Sequence, residues 1–144
     1  MSDVAAEYRR QFQWRDWRTA LETLPQLQGQ TLVDLGCGVG DLASKLTARG
    51  ARVVGFDSSE ELIEPARSRG IPNAEFRIAD LSEDLCFDDS LDGVWCGFAA
   101  AYFIDLSSAI ARWTGRLKPG GWIGLTEIDD LFGHGPLTAK TRAC

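Results

Sequence analysis

Apolar and polar positions follow two rhythms along this chain of 144 residues. Short apolar runs at Thr31–Leu35, 52–56, 75–78, 92–98 and 121–128 read as strands, and amphipathic stretches lie between them. Residues 41–49 put Leu42, Ala43 and Leu46 on one helical face, and Gly50 then supplies a stop with access to the left-handed region. Ser58 with Glu61 has the spacing of a capping box for a second helix ending at Gly70. Pro65 is expected to kink or shorten it, because a proline that deep removes a backbone bond at a cost of ~3 kcal/mol. Residues 106–117 are amphipathic in the same way. Crossovers of this length are too long for hairpins, so the pattern predicts an α/β fold with a parallel sheet covered by helices on both faces.

Ahead of the first strand, Tyr8 and Phe12 lie one helical turn apart, as do Trp17, Leu21 and Leu24, with no Gly or Pro before Pro25. Residues 1–30 are therefore expected to form a helical lid or cap, and 31–144 the core. Composition changes the picture only by exclusion. Hydrophobic residues at 44% and charged residues at 25% are ordinary for one globular domain. The net charge of -6 and pI near 4.7 argue against a phosphate-binding surface, so nucleic acid is not expected as a partner. The cysteines Cys37, Cys86, Cys96 and Cys144 form no C-x-x-C pair and His134 is the sole histidine, so no metal site is expected. Residues 1–30 are polar and charged, and no run approaches the ~20 apolar residues of a membrane span. A reducing cytoplasm and no membrane partner are the expectation.

The chemistry concentrates at Val33-Asp34-Leu35-Gly36-Cys37-Gly38-Val39-Gly40-Asp41, where an apolar strand runs through alternate glycines into a helix. Glycines let a ligand lie against backbone amides, so Gly36 and Gly38 should line a cofactor. Asp57 ends the second strand about 20 residues on, where an acid can accept both hydroxyls of a ribose. With Ser58 expected to cap the next helix, Asp57 should be free for that task. Asp80-Leu81 follows the third strand at the same sheet edge, in reach of an adenine whose exocyclic amine Asp80 can accept. A nicotinamide dinucleotide needs G-x-G-x-x-G, and Asp41 stands where the third glycine belongs. The ammonium of a methionine tail tolerates acids such as Asp34 and Asp41 better than a pyrophosphate does.

Taken together, Asp34-Leu35-Gly36-Cys37-Gly38-Val39-Gly40, Gly55-Phe56-Asp57-Ser58-Ser59, Leu85-Cys86-Phe87-Asp88-Asp89-Ser90-Leu91-Asp92 and Leu117-Lys118-Pro119-Gly120-Gly121 resemble the successive motifs of class I S-adenosylmethionine-dependent methyltransferases. The resemblance covers about residues 31 to 128. It implies a Rossmann-like doubly wound sheet of order 3-2-1-4-5, with S-adenosylmethionine as cofactor and a small molecule as acceptor. It implies that the Gly36 to Gly40 loop, Cys37 and Gly38 included, meets the methionine moiety, that Asp57 meets the ribose, and that Ser58, Asp80 and Leu81 meet the adenine end; Asp34, at the end of the strand before that loop, is counted with the cofactor-binding residues. A backbone carbonyl at Cys96 would face the methionine ammonium.

Ala101-Tyr102 replaces the His pair that many small-molecule members carry after the fourth strand, and residues 96–103 lack the Asn-Pro-Pro-Tyr type of motif of nucleobase methyltransferases. Tyr102 and His134 remain as candidates to take an acceptor proton. Among Tyr8, Phe12, Trp14 and Trp17, a lid whose rings face the sulfonium would use Tyr8 and Trp14. An oxidoreductase using nicotinamide and a module that binds S-adenosylmethionine without turnover are the alternatives. The family's last two strands have no counterpart in residues 129–144, so 31–144 is expected to be a C-terminally incomplete core. The fifth strand, with Trp122, Ile123, Leu125 and Ile128, would then be an open edge covered by a missing segment or by a second copy in a homodimer.

Overall fold

The computed structural model describes residues 3–83, 85 and 90–127, apart from the side chain of Trp14. Strands β1 (Thr31–Leu35), β2 (Arg52–Asp57), β3 (Ala74–Ile78), β4 (Leu91–Gly97) and β5 (Leu117–Thr126) form one sheet. Its order is β3-β2-β1-β4-β5 and every pairing is parallel, as the spacing of the apolar runs and the resemblance together require. β5 starts earlier than the apolar run, because Leu117 already pairs with Leu91. The Lys118-Pro119-Gly120-Gly121 segment is then taken up in a register shift before Trp122 meets Gly93.

Side chains alternate across the sheet with the period of two that strands impose. Leu32, Val53 and Trp95 point to one face, where they pack with Leu42 and Leu46 of α3 (Asp41–Thr47) and Ile63 and Ala66 of α4 (Glu60–Ser68). Val33, Leu35, Phe56, Val94 and Cys96 point to the other, against Ala109 and Trp113 of α5 (Leu106–Thr114). The helix expected past the glycine loop is present, and Gly50 follows it with φ 89°.

Two local expectations fail. The leading segment is not one helix but two, α1 (Asp3–Trp14) and α2 (Trp17–Glu22). Asp16 breaks it: its carboxylate accepts the Thr19 amide at 3.1 Å and the Thr19 hydroxyl at 2.6 Å, starting a new helix by an N-cap. Trp17 can then turn inward to stack on Phe12 at 4.6 Å. The Ser58 capping box does not form either. The N-cap of α4 is Ser59, without a side-chain cap bond, because Asp57 Oδ1 accepts the Ser59 amide at 3.0 Å. Pro65 lies inside that helix, which is shorter than the expected run to Gly70 and ends at Ser68; Ile63 and Ala66 are buried on either side of the proline.

Candidate functional site

At the carboxyl edge of the sheet, β1 ends in Leu35 and the chain turns back on itself. The amides of Gly36 and Cys37 both donate to the Phe56 carbonyl, at 2.8 and 3.0 Å, and the Gly40 amide closes the turn on the Cys37 carbonyl at 2.9 Å. Gly36 and Gly38 have φ of 74° and 53°, which side chains rarely tolerate. Space is short as well: a Cβ on Gly36 would clash with the Ala99 Cβ at 2.8 Å, and one on Gly38, 3.3 Å from the Tyr8 ring, would require that ring to give by a few tenths of an ångström.

Around this turn opens a cavity of about 740 Å³. Asp34, Gly36, Cys37, Gly38, Asp57, Ser58, Asp80 and Leu81 all line it, so the sheet brings together from three strands nearly every residue the sequence singled out. Cys96 is the exception. Its side chain is buried on the opposite face, where burial first and the charge of Glu127 second push the thiol up to about 12, and Gly97 lines the cavity in its place. Tyr102 lies at the rim, 75% exposed, beside the exposed Ile104. His134, Ile128, Asp84, Asp88 and Asp89 lie outside the described residues, as does the Trp14 side chain.

The acids of the site do different work. Asp57 Oδ2 accepts the Gly38 amide at 2.9 Å, so it is not the free carboxylate expected from the sequence; it ties the loop of β1 to the end of β2. Asp80 accepts the Ser82 hydroxyl and amide, at 2.7 and 2.9 Å, and these bonds hold its carboxyl below the ordinary range. Asp41 is paired with Arg69 at 2.7 Å and with Arg9 at 3.8 Å, whereas Asp34 has no such cation beside it among the described residues. Asp34 is the remaining one. It is 1% exposed, its Oδ2 has no hydrogen-bond partner, and burial together with the Asp57 charge pushes its carboxyl up to about 7. A buried carboxyl oxygen left without a donor at the base of a cavity is a place for a ligand's N–H. The neighbouring Cys37 thiol is pushed well above its ordinary value, chiefly by burial, which makes it a neutral wall and not a nucleophile.

Helix α1 crosses the mouth. Ala5 packs with Val39 of the loop and Leu62 of α4, and the Arg9 pair with Asp41 reinforces the contact. Tyr8 is thereby set over Gly38, and its hydroxyl is kept protonated by burial first and the Asp57 charge second. The sequence did not single out Arg15, Gly97, Phe98 or Ala99, which complete the wall. An arginine among four aromatics was a visible signal for Arg15. Gly97, Phe98 and Ala99 come to the site only through the pairing of β4 with β1.

The cradle fits an amino-acid-bearing nucleoside: glycines that admit it, an unpartnered buried acid for an ammonium, and Asp57 and Asp80 at successive strand ends for hydroxyls and an amine. Comparison with known proteins agrees. Residues 32–121 match the family model described as a methyltransferase domain. The trans-aconitate 2-methyltransferase of Mycolicibacterium gilvum is 33% identical over 111 residues, which are 76% of this chain and 42% of that protein. The demethylmenaquinone methyltransferase of Chlorobaculum tepidum is 37% identical over 118 residues, 77% of this chain and 48% of that one. The chain thus spans less than half the length of these curated relatives. The crystal structure of an S-adenosylmethionine-dependent methyltransferase from Mesorhizobium loti superposes with a TM-score of 0.69 at 31% identity, covering 74% of this chain and 51% of the other. Motif, sheet order and relatives converge, and the chain belongs to the class I S-adenosylmethionine-dependent methyltransferases.

Proposed function

We propose that this chain carries the cofactor site of an enzyme that moves a methyl group from S-adenosylmethionine to a small-molecule acceptor. The observation that carries the reading is the convergence of the Gly36–Gly38 turn, Asp34, Asp57 and Asp80 on one cavity at the strand ends. Asp34 would hold the ammonium, Asp57 the ribose hydroxyls, and Ser58, Asp80 and Leu81 the adenine end; Gly97 closes the far wall. The cofactor supplies a methyl carbon already activated by its sulfonium, so the chain's own task is to align an acceptor and exclude water. Residues 3–22, at the front of the expected cap over 1–30, serve as a lid: α1 seats Tyr8 over Gly38, and Phe12 lines the same wall.

Tyr102 and Ile104 give the open side of the cavity an apolar rim suited to the body of a small acceptor. The relatives named for trans-aconitate and demethylmenaquinone support that class of acceptor. Tyr102, which lines the open side of the cavity, is the candidate to take a proton from it, with His134 the candidate outside the described residues. The nicotinamide alternative is disfavoured by Asp41, which stands at the third glycine of that fingerprint and is held by Arg69. No described helix is long and apolar enough to cross a membrane, and a cytoplasmic setting without nucleic acid accords with the acidic charge of -6. β5 pairs only with β4 among the described residues and leaves Leu125 exposed, which supports a second copy or further polypeptide along that edge. The test is transfer of a labelled methyl group from S-adenosylmethionine to a panel of carboxylate, phenol and quinol acceptors. Tight binding of S-adenosylhomocysteine without transfer to any of them would favour a module that binds without turnover.

A further inference from the structure

β4 ends at Gly97, and the chain reaches α5 through Phe98 and a single 3₁₀ turn, Ala100–Tyr102. This short connection supplies one wall of the cavity, to which Phe98, Ala99, Tyr102 and Ile104 contribute. Two features make it costly to hold in place. Phe98 has φ at 56°, a left-handed conformation that is strained for an aromatic residue. The first amides of a helical turn have no partner within it and must be satisfied from outside, yet the residue in the cap position is Ala99, whose side chain cannot accept a bond.

Two successive residues at the end of β5 meet both needs. The Thr126 carbonyl accepts the Phe98 amide at 2.7 Å, and its hydroxyl accepts Trp95 Nε1 at 3.2 Å. Glu127 Oε1 then accepts the Ala100 amide at 2.8 Å, across 27 positions of chain. A carboxylate on a backbone amide makes a charge-assisted bond, stronger than one between neutral groups. Elsewhere the turn is held from its core side: Phe103 meets the edge of Trp113 at 5.3 Å and 79°, and the amides of Tyr102 and Phe103 close on the carbonyls of Ala99 and Ala100 at 3.1 and 3.2 Å. Those contacts fix the turn to α5 and leave its start to Glu127. There Ala99 packs on the glycine turn of β1, and Tyr102 stands exposed at the rim.

We propose that Glu127 is a positioning residue for methyl transfer: its carboxylate, a cap delivered from β5 to the Ala100–Tyr102 turn, sets the place of Tyr102 at the mouth of the cavity. The proposal rests on the cofactor reading above and extends it to the acceptor side. The glycine turn holds the methyl donor from β1, and Glu127 holds from β5 the wall against which an acceptor is aligned. Alignment is the protein's main contribution to a displacement at an already activated carbon, so a loose wall lowers turnover and spares cofactor affinity.

The chain has two tyrosines, Tyr8 and Tyr102, so labelling the full chain with 3-fluorotyrosine gives two fluorine resonances, which Tyr102→Phe assigns. Spectra of wild type, Glu127→Ala, Glu127→Asp and Glu127→Gln are compared, and S-adenosylhomocysteine affinity is measured on each by calorimetry. In Glu127→Ala the Tyr102 resonance should shift or broaden while the Tyr8 resonance and the affinity stay as in the wild type. Glu127→Asp, which keeps the charge and loses the reach, should behave the same way and serves if the alanine variant does not fold. Glu127→Gln keeps an acceptor oxygen for the Ala100 amide and should bring the Tyr102 resonance back toward its wild-type position. With any acceptor the wild type methylates, Glu127→Ala should lower kcat roughly tenfold or more and leave the KM for S-adenosylmethionine unchanged. An unmoved Tyr102 resonance overturns the proposal, as does a glutamine variant no better than alanine, or a moved resonance with kcat intact. Loss of S-adenosylhomocysteine affinity with both resonances disturbed also overturns it, since that reports a damaged fold. A wild type that does not bind S-adenosylhomocysteine would instead overturn the cofactor reading, while the fluorine spectra still decide whether Glu127 places Tyr102.

Discussion

The Asp57 carboxylate accepts the Gly38 amide at 2.9 Å across 19 positions of chain, which joins the tip of β2 to the glycine turn of β1. Its other oxygen accepts the Ser59 amide at 3.0 Å and starts α4. One side chain thus shapes both walls of the cavity, and each of its oxygens retains a second lone pair for a ligand. The same acid builds the loop and, on the proposed reading, would also hold the ligand.

That double use sets the first prediction. Asp57→Ala should weaken S-adenosylhomocysteine binding by roughly 1.5 to 3 kcal/mol, the range for hydrogen bonds to a charged group, and should also lower the melting temperature. Asp57→Asn keeps one acceptor oxygen and should recover more stability than affinity. Calorimetry and thermal melts on both variants check this; undiminished affinity in folded Asp57→Ala would take Asp57 out of the binding site.

The sheet and the glycine turn were legible because they rest on local patterns: an apolar run, alternate glycines, an acid at the next strand's end. What was not legible came from competition or from pairing at long range. Ser58 and Glu61 have the spacing of a capping box, but Asp57 reaches the Ser59 amide first and moves the cap by one residue. Periodicity from Tyr8 to Leu24 is continuous, yet the Asp16 side chain breaks it, because a cap competes with helix continuation wherever the following aromatic gains burial by turning inward. Gly97 and Phe98 enter the site only because β4 lies beside β1, which no local spacing records.

Gly36 tests how far the turn depends on the absence of a side chain. Its φ is 74°, and a Cβ there would approach the Ala99 Cβ to 2.8 Å, so Gly36→Ala meets both backbone strain and a clash. A loss of about 1 to 3 kcal/mol in stability is expected from the strain alone, with ligand affinity falling as the turn shifts. The double change Gly36→Ala with Ala99→Gly removes the clash and keeps the strain, so it should restore part of the stability. Denaturant titration decides; a single variant as stable as the wild type contradicts the geometry.

Trp17 tests how the lid is anchored. It is buried against Phe12 at 4.6 Å, Phe98 at 6.1 Å and Trp95 at 6.3 Å. Trp17→Ala should cost about 3 to 5 kcal/mol, a large part of the margin of an ordinary domain. Trp17→Phe, which keeps a ring against Phe12, should lose much less. If urea midpoints for the two variants coincide, the aromatic stack is not what holds α2 to the sheet.

Asp34 makes pH dependence the sharpest test of the ligand's charge. Its carboxyl is raised to about 7, by burial first and by Asp57 second. Between the ordinary carboxylate value of about 3.9 and that raised value, the folded protein holds a proton that the unfolded chain has released. The contribution of Asp34 to stability is therefore fully present below the ordinary value and is lost as pH rises through the folded value, where an unpartnered ion becomes buried. Binding has the opposite sign. A ligand ammonium beside Asp34 favours the carboxylate, so affinity for S-adenosylhomocysteine should rise between about pH 5.5 and 8 and a proton should be released on binding. Asp34→Asn removes both effects: its melting temperature should fall less than the wild type's across this window, and its affinity should be weaker and nearly flat with pH. Calorimetry in two buffers of different ionisation enthalpy counts the released proton directly. Wild-type binding that neither releases a proton nor strengthens with pH would mean that the ammonium of the cofactor lies elsewhere, and that the buried oxygen of Asp34 serves the fold alone.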